Sequence, residues 1–455
     1  MSEFPVVTEE TLRRFDVAGP RYTSYPTAPE WSDEFGPDDY GRALAAAALR
    51  ADEPLSIYVH IPFCREMCTY CGCHVIVARS PQKMDRYLDV VDREIALVAG
   101  RLGARRTVSR VHLGGGTPTA LDEAQLGRLA GALRGAFTVL PGAELAVEID
   151  PVVTRRAQLE VLARAGWNRI SMGVQDFDPG VQQAVNRVQT VEVTRAMIDG
   201  ARELGYRSVN LDLIYGLPRQ TPDSWRRTLE QIVALRPDRL ALFSFAYVPS
   251  VKPHQKALET VSMPSPTGKL ALFRLAHDLL TGAGYRWVGM DHFALPDDEL
   301  ARAAGERRLW RDFQGYTTLR AADTVALGVS GIGKIGGCYA QNVKTLPPHE
   351  ALLAEGRLPI ERGHWLTEDD QLRSDAITQI MCNFWVDLGP DAAGRWAREL
   401  EALRAHERDG LVTLAGATVT LTPLGRVFVR NVAMVFDAYL GRGKSAQRPT
   451  FSRTV

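Results

Sequence analysis

The stretch "SIYVHIPFCREMCTYCGCHV", residues 56–75, runs from an apolar segment into a loop that holds four of the chain's six cysteines. The segment SIYVHI is typical of a buried strand, and Cys64, Cys68, Cys71 and Cys73 follow it closely. Six cysteines in 455 residues are too few for a disulfide-rich scaffold. We therefore expect reduced thiols that bind metal or carry out redox chemistry.

The cysteine spacing distinguishes between two kinds of metal site. Zinc sites usually combine two separated pairs of ligands, and the sequence offers no second pair beside C-x3-C-x2-C. Three thiolates in a tight loop suit a [4Fe–4S] cluster with one iron open to another ligand. We therefore favour a cluster over zinc. Cys338 and Cys382 stand alone, and we predict that they are small buried hydrophobic residues.

Composition limits the class of protein. Lys+Arg and Asp+Glu both number 54, and a net charge of zero argues against nucleic acid or an anionic membrane as a partner. A hydrophobic fraction of 45% and a charged fraction of 24% are typical of globular protein. The first residues lack the features of a signal peptide, and no apolar stretch reaches the roughly 18 residues of a membrane span. We expect a cytoplasmic protein.

Six segments rich in β-forming residues recur along the chain, at 56–61, 108–114, 144–150, 169–175, 208–216 and 239–248. Helical segments separate them, which predicts an α/β fold with a parallel sheet and right-handed crossovers. Polar or glycine-rich motifs lie in or just after successive runs, including "GGGTP" (114–118), Glu148, Gln175 and Asp212. Such convergence is typical of a barrel whose site lies at the carboxyl ends of its strands. Six units predict a partial (β/α)6 barrel that is open on one side.

The regions around the barrel predict three domains. Residues 1–50 contain "GPRYTSYPTAPEW" and are predicted to form an N-terminal extended arm, and residues 51–345 form the barrel. Residues 346–455 read as a mainly helical, winged-helix-like cap. DNA binding is not expected there, because only Arg426 and Arg430 could begin a basic stripe. We expect His60 and His112 to be structural. The glycine run, too short for a phosphate loop, is predicted to let the backbone approach a ligand.

The cysteine motif followed by "HLGGGTPT" resembles the radical S-adenosylmethionine (radical SAM) superfamily. Further strings, among them "VEIDP", "SMGVQDF", "DLIYGLP", "FQGYTT" and "GCYAQN", resemble the oxygen-independent coproporphyrinogen III oxidases along almost the whole chain. The resemblance implies a [4Fe–4S] cluster on Cys64, Cys68 and Cys71 and two molecules of S-adenosylmethionine. The implied reaction is oxidative decarboxylation of two propionates of coproporphyrinogen III to vinyl groups, giving protoporphyrinogen IX.

The resemblance also implies positions for both S-adenosylmethionine molecules and for partners. The iron-bound molecule would contact Tyr58, Gly115, Glu148 and Ile332. The second would contact Tyr70, Gly116, Thr117, Gln175, Arg187, Asp212 and Ala246. On the arm, Arg21, Tyr22 and Tyr25 are substrate candidates, because arginine can pair with a propionate and tyrosine can pack on a flat ring. We expect a reducing protein such as flavodoxin or ferredoxin as partner, and a monomer.

Three positions bear on the choice of substrate. Cys73 fits the oxidases, whereas related haem chaperones typically carry phenylalanine there, and we predict that it lies near the cluster without binding it. His74 stands where the family usually has asparagine, and Lys334 adds a charge to "SGIGKIGG". Two alternatives stay open. One is a haem-binding chaperone on the same fold, against which Cys73 and the N-terminal arm argue. The other is a radical SAM enzyme for another tetrapyrrole, in haem degradation or methyl transfer, which His74 and Lys334 leave open.

Overall fold

The computed structural model describes residues 3–319, 323–441 and 451–454. The strands in chain order are β1 (Leu55–Ile61), β2 (Phe63–Cys64), β3 (Ile76–Val77), β4 (Thr107–Gly115), β5 (Thr138–Ile149), β6 (Arg169–Gln175), β7 (Ser208–Tyr215), β8 (Arg239–Ser244), β9 (Arg286–Val288), β10 (His292–Ala294), β11 (Trp310–Asp312), β12 (Gly315–Thr317), β13 (Thr324–Leu327), β14 (Ile332–Ile335), β15 (Cys338–Asn342), β16 (Ile360–Trp365), β17 (Trp385–Asp387), β18 (Val412–Ala415) and β19 (Thr418–Leu421).

The α-helices are α1 (Glu9–Phe15), α2 (Pro37–Ala48), α3 (Pro81–Leu102), α4 (Glu123–Ala136), α5 (Arg156–Arg164), α6 (Pro179–Ala184), α7 (Val191–Glu203), α8 (Pro222–Leu235), α9 (Pro266–Gly282), α10 (Glu299–Gly305), α11 (Leu346–Ala354), α12 (Glu368–Asn383), α13 (Ala392–Arg395), α14 (Ala397–Arg408), α15 (Pro423–Val427) and α16 (Val429–Met434). Short 3-10 helices cover Ala28–Glu30, Pro118–Ala120 and Pro253–Leu258. Within the described ranges, no helix combines the length and the apolar character needed to cross a bilayer.

The six predicted strands form the parallel centre of one sheet. β1, β4, β5, β6, β7 and β8 lie side by side in chain order, and each pairs in parallel with the next. Helices α3 to α8 lie in the connections between them. Among the described strands, the sheet ends at β16 and β9 without closing on itself. The prediction of a partial (β/α)6 barrel, open on one side, is confirmed.

Apolar periodicity and capping explain why these helices pack on the sheet. One face of α3 is buried throughout, with Met84, Leu88, Val91, Ile95 and Val98 at helical spacing. α8 begins at a capped end, because the Thr221 side chain accepts a hydrogen bond from the Ser224 amide and Pro222 occupies the first turn.

Outer strands extend the barrel beyond its predicted limits. β13 pairs in parallel with β1, and β14, β15 and β16 follow it as antiparallel strands. The sheet therefore continues to Trp365, past the boundary predicted at residue 345. The sixth predicted strand is shorter than expected and ends at Ser244. The chain then folds back on itself, because the Val248 amide donates to Gln255 Oε1 at 2.6 Å.

The C-terminal region contains a small sheet among helices. β19 lies between β17 and β18 with antiparallel pairing on both sides. The order α12, β17, α13, α14, β18, β19 is that of a winged helix. The apolar cluster of this region includes Phe428, Val432 and Phe436 together with Leu12 and Phe15 of the arm.

The N-terminal arm is extended only in part. Residues 1–50 include helices α1 and α2, and the Ala-rich sequence of α2 explains the second of them. Between these helices the chain crosses onto the C-terminal region, where the Asn431 side chain donates to the Phe15 carbonyl at 2.8 Å. Because Leu12 and Phe15 are buried there, the arm forms part of a core.

Alternating charges close the amino ends of the barrel strands. Arg110 on β4 and Arg169 on β6 hold the carboxylate of Glu144 at 3.2 and 3.0 Å. Arg110 also pairs with Asp312 on β11, and Arg169 also pairs with Glu299 on α10. Arg239 on β8 completes the series, with Asp298 at 2.9 Å. Ion pairs thus fill the barrel at the amino ends of its strands. The candidate active site lies at the opposite rim, at the carboxyl ends of the strands.

Candidate active site

The cysteine loop lies at the carboxyl end of β1, where the thiols meet two other rim segments. Cys64 Sγ lies 3.3 Å from Thr117 Oγ1, which follows β4. Arg187 Nη1 lies 3.8 Å from Cys68 Sγ and follows α6. Together with Asp150, these residues line a cavity of about 820 Å³. Cys64, Cys68 and Cys71 are each half-buried, as ligands of a shielded but reachable group would be.

The surroundings of the thiols affect their protonation. Burial raises the pKa of Cys64 to about 11. Burial also raises the pKa of Cys68, although the nearby Arg187 guanidinium opposes this. The hydrogen bond from the Cys73 thiol lowers the pKa of Cys71, and the charges of Lys252 and His254 lower it further. Cys71 is therefore the thiol most ready to act as a thiolate.

Cys73 lies beside Cys71 and is exposed at the end of the loop. The hydrogen bond to Cys71 raises the pKa of the Cys73 thiol. Cys73 lies at the exposed end of the loop, whereas Cys64, Cys68 and Cys71 are half-buried. This difference in exposure favours the interpretation that Cys73 is a neighbour of the cluster site.

The glycine run after β4 packs closely against the chain itself. A Cβ atom on Gly115 would lie 2.6 Å from the His60 ring, and one on Gly116 would lie 2.7 Å from the carbonyl carbon of Pro62. Gly115 also has a φ of +115°. The Gly116 amide donates to the Ile61 carbonyl at 2.8 Å. The missing side chains of Gly115 and Gly116 make room for β1 and for the start of the cysteine loop. That these glycines also let a ligand approach the backbone stays a prediction.

Glu148 is held at the rim by two donors. His112 Nε2 lies 2.9 Å from Glu148 Oε1, and the Gly115 amide donates to Oε2 at 3.2 Å. Burial raises the pKa of Glu148, but these two donors outweigh it, so the pKa is lowered overall. His112 Nδ1 is buried and has no partner among the described atoms. An ionised, oriented carboxylate of this kind can accept hydrogen bonds from an ammonium or a ribose.

Tyr58 and His60 connect β1 to the cysteine loop. The Tyr58 hydroxyl lies 3.0 Å from His60 Nδ1, and His60 Nε2 lies 3.0 Å from the His74 carbonyl. Burial lowers the pKa of His60 to about 4, so the ring is neutral near pH 7. His60 and His112, which we expected to be only structural, thus contact the predicted site residues. Their position beside strong motifs was the available signal.

Arg187 joins the loop to the strand ends of β5 and β6. Its guanidinium donates to Asp150 Oδ2 at 3.1 Å and to the Gly173 carbonyl at 2.6 Å. Burial lowers the pKa of Arg187, but the groups around it, with Tyr70 and Asp150 foremost, raise it overall. Gln175 has a φ of +69° and a buried Oε1 without a partner in the described structure, and Arg187 Nε is likewise unpaired. Both atoms are available to a bound ligand.

Asp212 on β7 faces the same interior as Glu148. Its carboxylate accepts from Asn210 Nδ2 at 2.7 Å and from the Ser171 hydroxyl at 3.3 Å. Burial, followed by the charge of Glu148, raises the pKa of Asp212 to about 7. Ser171 and Asn210 were not predicted, because small polar residues inside a strand give no pattern of their own.

The remaining predicted contacts are spread over the rim. Tyr70 and Ala246 are both half-buried, and their carbonyls share one donor, Gln255 Nε2, at 3.1 Å each. Ile332 on β14 lines a separate cavity of about 390 Å³, together with Tyr22 and Tyr25. Like Tyr58, Glu148 and Cys71, Ile332 is not among the residues that line the 820 Å³ cavity.

The three arm candidates occupy different surroundings. The Tyr22 hydroxyl donates to Asp437 at 3.0 Å, and the Tyr25 hydroxyl accepts from the Ala438 amide at 2.9 Å. Both rings are buried. Arg21 pairs with Asp291 and stacks over the Phe243 ring at the end of β8. Of the three, Arg21 has the surroundings that best suit a substrate carboxylate.

The residues present fit the predicted cofactors. Three thiols lie in one loop at the rim of the barrel. The same rim holds buried polar atoms that have no partner in the described structure: Gln175 Oε1, Arg187 Nε and His112 Nδ1. Three thiolates in one C-x3-C-x2-C loop suit a [4Fe–4S] cluster with one iron left open to a further ligand.

Lys334 and His74 lie at the edges of this site. Lys334 Nζ lies 5.7 Å from the centre of the Tyr339 ring and lines the cavity of Ile332. His74 lies at the end of the cysteine loop, and its carbonyl oxygen lies 3.0 Å from His60 Nε2. Neither side chain reaches the Glu148 carboxylate in a described hydrogen bond.

Comparisons with known proteins agree with this geometry. The sequence profile of the radical SAM superfamily matches residues 58–232. The oxygen-independent coproporphyrinogen III oxidase of Escherichia coli (strain K12) is 44% identical over 98% of this chain and 97% of its own length. The enzyme of that name from Pseudomonas aeruginosa is 42% identical, with 98% of each chain covered.

A solved structure extends the comparison to the fold. The coproporphyrinogen III oxidase from Escherichia coli, described as a radical SAM enzyme, matches with a TM-score of 0.88 at 44% identity, over 92% of this chain and 97% of that one. Both the sequence and the fold thus agree over nearly the full length. This chain belongs to the family of oxygen-independent coproporphyrinogen III oxidases, within the radical SAM superfamily.

Proposed function

We propose that this protein converts coproporphyrinogen III to protoporphyrinogen IX by oxidative decarboxylation of two propionate side chains to vinyl groups. The observation that carries the proposal is the 44% identity to a coproporphyrinogen III oxidase over 98% of this chain and 97% of that protein. It is an oxidoreductase of haem and porphyrin biosynthesis.

Cys64, Cys68 and Cys71 would hold a [4Fe–4S] cluster, and two S-adenosylmethionine molecules would lie over the rim. When bound, these groups would supply the electron and the radical that removes a hydrogen from the substrate propionate, and loss of CO2 with transfer of one electron to an external acceptor would complete each vinyl group. Tyr58, Gly115 and Glu148, with Ile332, are proposed for the iron-bound molecule. Glu148 supports this role because His112 and Gly115 keep it ionised and oriented.

The second S-adenosylmethionine is proposed to contact the other predicted residues. Arg187 can clamp a carboxylate, because its guanidinium is held by Asp150 and the Gly173 carbonyl and its Nε has no described partner. Asp212 can accept from ribose hydroxyls. The further candidates are Tyr70, Gly116, Thr117, Gln175 and Ala246.

The substrate is proposed to enter from the side of the arm. Arg21 would pair with a propionate, and its position over Phe243 at the end of β8 supports this role. Tyr22 and Tyr25 would act by holding the arm, since their hydroxyls bond to Asp437 and the Ala438 amide. The proposed units are the arm (1–50), the barrel (51–345) and a winged-helix-like cap (346–455).

The proposed cellular setting follows from the chemistry. A low-potential electron carrier such as flavodoxin or ferredoxin would reduce the cluster, and the protein would act as a cytoplasmic monomer. A zero net charge supports the absence of nucleic acid among its partners.

Anaerobic reconstitution tests the proposed function. The protein is loaded with iron and sulfide, reduced, and incubated with S-adenosylmethionine and coproporphyrinogen III, and the porphyrin products are separated. We expect vinyl-bearing products and release of CO2, both absent in a Cys68→Ala control. Tight haem binding with no turnover of coproporphyrinogen III would instead indicate a haem chaperone.

A further inference from the structure

A short segment after β8 holds the second half of the cysteine loop by its backbone. Lys252 Nζ donates to the Cys73 carbonyl at 3.0 Å. His254 Nε2 lies 2.8 Å from the Cys71 carbonyl, and Gln255 Nε2 donates to the Tyr70 carbonyl at 3.1 Å. Three side chains from one segment thus bond to three carbonyls between residues 70 and 73. We refer to Lys252, His254 and Gln255 as the carbonyl clamp.

The clamp is itself rigid at its centre. Gln255 is buried, and it also bonds to the Ala246 carbonyl at 3.1 Å and accepts from the Val248 amide at 2.6 Å. The segment Pro253–Leu258 is a 3-10 helix, which presents His254 and Gln255 from adjacent positions. A preorganised donor set of this kind costs little entropy when it orders a loop.

The first half of the loop has separate supports. Asn186 Nδ2 donates to the Met67 carbonyl at 3.0 Å, and the Thr69 amide donates to the Val185 carbonyl at 3.1 Å. These bonds come from the turn after α6 and leave residues 70–73 to the clamp. Cys71 is the one predicted ligand that lies within the clamped half.

We propose that Lys252 and His254 are positioning residues that fix the loop at Cys71 and tune the cluster, with Lys252 also raising its reduction potential. The inference rests on the cluster of the proposed function. A positive charge near a cluster stabilises the added electron, and hydrogen bonds and net charge around a cluster set its potential. Lys252 is half-buried, so its charge is less screened than a fully exposed one.

The charge is tested with Lys252→Met, Lys252→Arg and Lys256→Met in the reconstituted protein. Lys256 is an exposed lysine on the same segment and serves as the charge-matched control. The potential is measured by mediator titration followed by electron paramagnetic resonance. We expect Lys252→Met to shift the reduction equilibrium about tenfold towards the oxidised cluster, or ~59 mV for one electron. Lys252→Arg should restore the potential.

The hydrogen bond is tested with His254→Leu and His254→Gln. Glutamine keeps a donor and leucine does not, so His254→Leu should lose iron to a chelator at least about threefold faster, and His254→Gln should resemble the parent. Circular dichroism controls for folding. An unchanged potential in Lys252→Met, or an equal shift in Lys256→Met, would overturn the role of the charge. Equal iron loss in both His254 variants would overturn the positioning role.

Failure of the clamp differs from failure of the proposed function. If the parent protein assembles a reducible cluster and all clamp variants have its potential and its rate of iron loss, only the clamp proposal is contradicted. A parent protein that assembles no cluster contradicts the proposed function first.

Discussion

At the residue scale, Asp212 shows how burial creates a titrating group. Its pKa of about 7 means that the folded state keeps the proton up to neutral pH, whereas an unfolded chain releases it near pH 4. Ionisation of Asp212 therefore costs folding stability progressively as the pH rises from about 4 to 7, and the full cost is present above pH 7.

Asp212→Asn tests this pH dependence. Asparagine keeps the acceptor for Asn210 and Ser171 but cannot ionise. We expect the cofactor-free variant to gain about 2–3 kcal/mol in unfolding free energy relative to the parent between pH 5 and pH 8. Denaturant unfolding at both pH values measures it. A difference between the two proteins that does not change with pH would contradict the assignment.

The second prediction at this scale concerns the cysteines. Cys64→Ala, Cys68→Ala or Cys71→Ala should remove the visible absorption of the cluster and most of the bound iron. Cys73→Ala should retain both, because Cys73 lies at the exposed end of the loop, outside the half-buried set of Cys64, Cys68 and Cys71. Iron and sulfide per chain after reconstitution provide the measurement. Equal iron loss in Cys73→Ala would make Cys73 a ligand.

At the element scale, the end of β4 and the start of the cysteine loop depend on each other. Gly116 and Thr117 donate to the carbonyls of Ile61 and Phe63, both at 2.8 Å. The backbone after β4 thus holds the backbone between β1 and the cysteine loop in place. Cys64 comes directly after Phe63. A side chain on this run would disturb the ligands through the backbone.

Gly116→Ala makes this dependence measurable. Its Cβ would lie 2.7 Å from the carbonyl carbon of Pro62, and backbone cannot move aside as a side chain does. We expect a loss of about 1–3 kcal/mol in unfolding free energy and weaker iron retention. Gly131→Ala is the matched control, because Gly131 lies on the exposed side of α4 with open space around it. It should stabilise the protein by up to about 1 kcal/mol.

At the scale of the whole molecule, Arg430 ties the two ends of the chain to the cap. It is buried and donates to the Pro20 carbonyl at 3.0 Å and to the Arg453 carbonyl at 2.6 Å, and it also bonds to Gly19. Burial, followed by the charge of Arg21, lowers the pKa of Arg430 to about 9. Arg21 follows directly after Pro20, so Arg430 also sets where the proposed substrate residue lies.

Arg430→Ala should therefore affect both stability and substrate binding. Buried carbonyls would lose their donor, and we expect a loss of about 3 kcal/mol in unfolding free energy. The KM for coproporphyrinogen III should rise at least about tenfold while S-adenosylmethionine affinity is retained. Arg426→Ala is the control. The Arg426 guanidinium carbon lies 4.6 Å from the centre of the Phe384 ring, and none of the described contacts of Arg426 is with the arm. An unchanged KM in Arg430→Ala would separate the arm from substrate recognition.

The role of the arm in the core changes how it should be tested. Leu12, Phe15, Tyr22 and Tyr25 belong to the apolar cluster of the cap. Deleting residues 1–28 would remove part of this core together with any substrate contact. Single substitutions such as Arg21→Lys distinguish recognition from stability more clearly.

The sequence by itself determined the barrel and the chemistry of the cysteine loop. Strand runs, helix periodicity and caps are local signals, and they predicted the six parallel strands and the open barrel. The spacing of Cys64, Cys68 and Cys71 is likewise local, since the three residues share one loop. Glu148 and Asp212 could be predicted because they lie on strands whose order in the sheet follows their order in the chain.

The tertiary structure decided what depends on contacts between distant segments. The carbonyl clamp joins residue 252 to residue 73, and Arg430 joins Gly19 to Ser452, at sequence separations that leave no pattern. His112 gains its role only from the carboxylate of Glu148 on the next strand. The pKa of Asp212 likewise depends on burial and on a neighbouring charge, and both exist only once the barrel has folded.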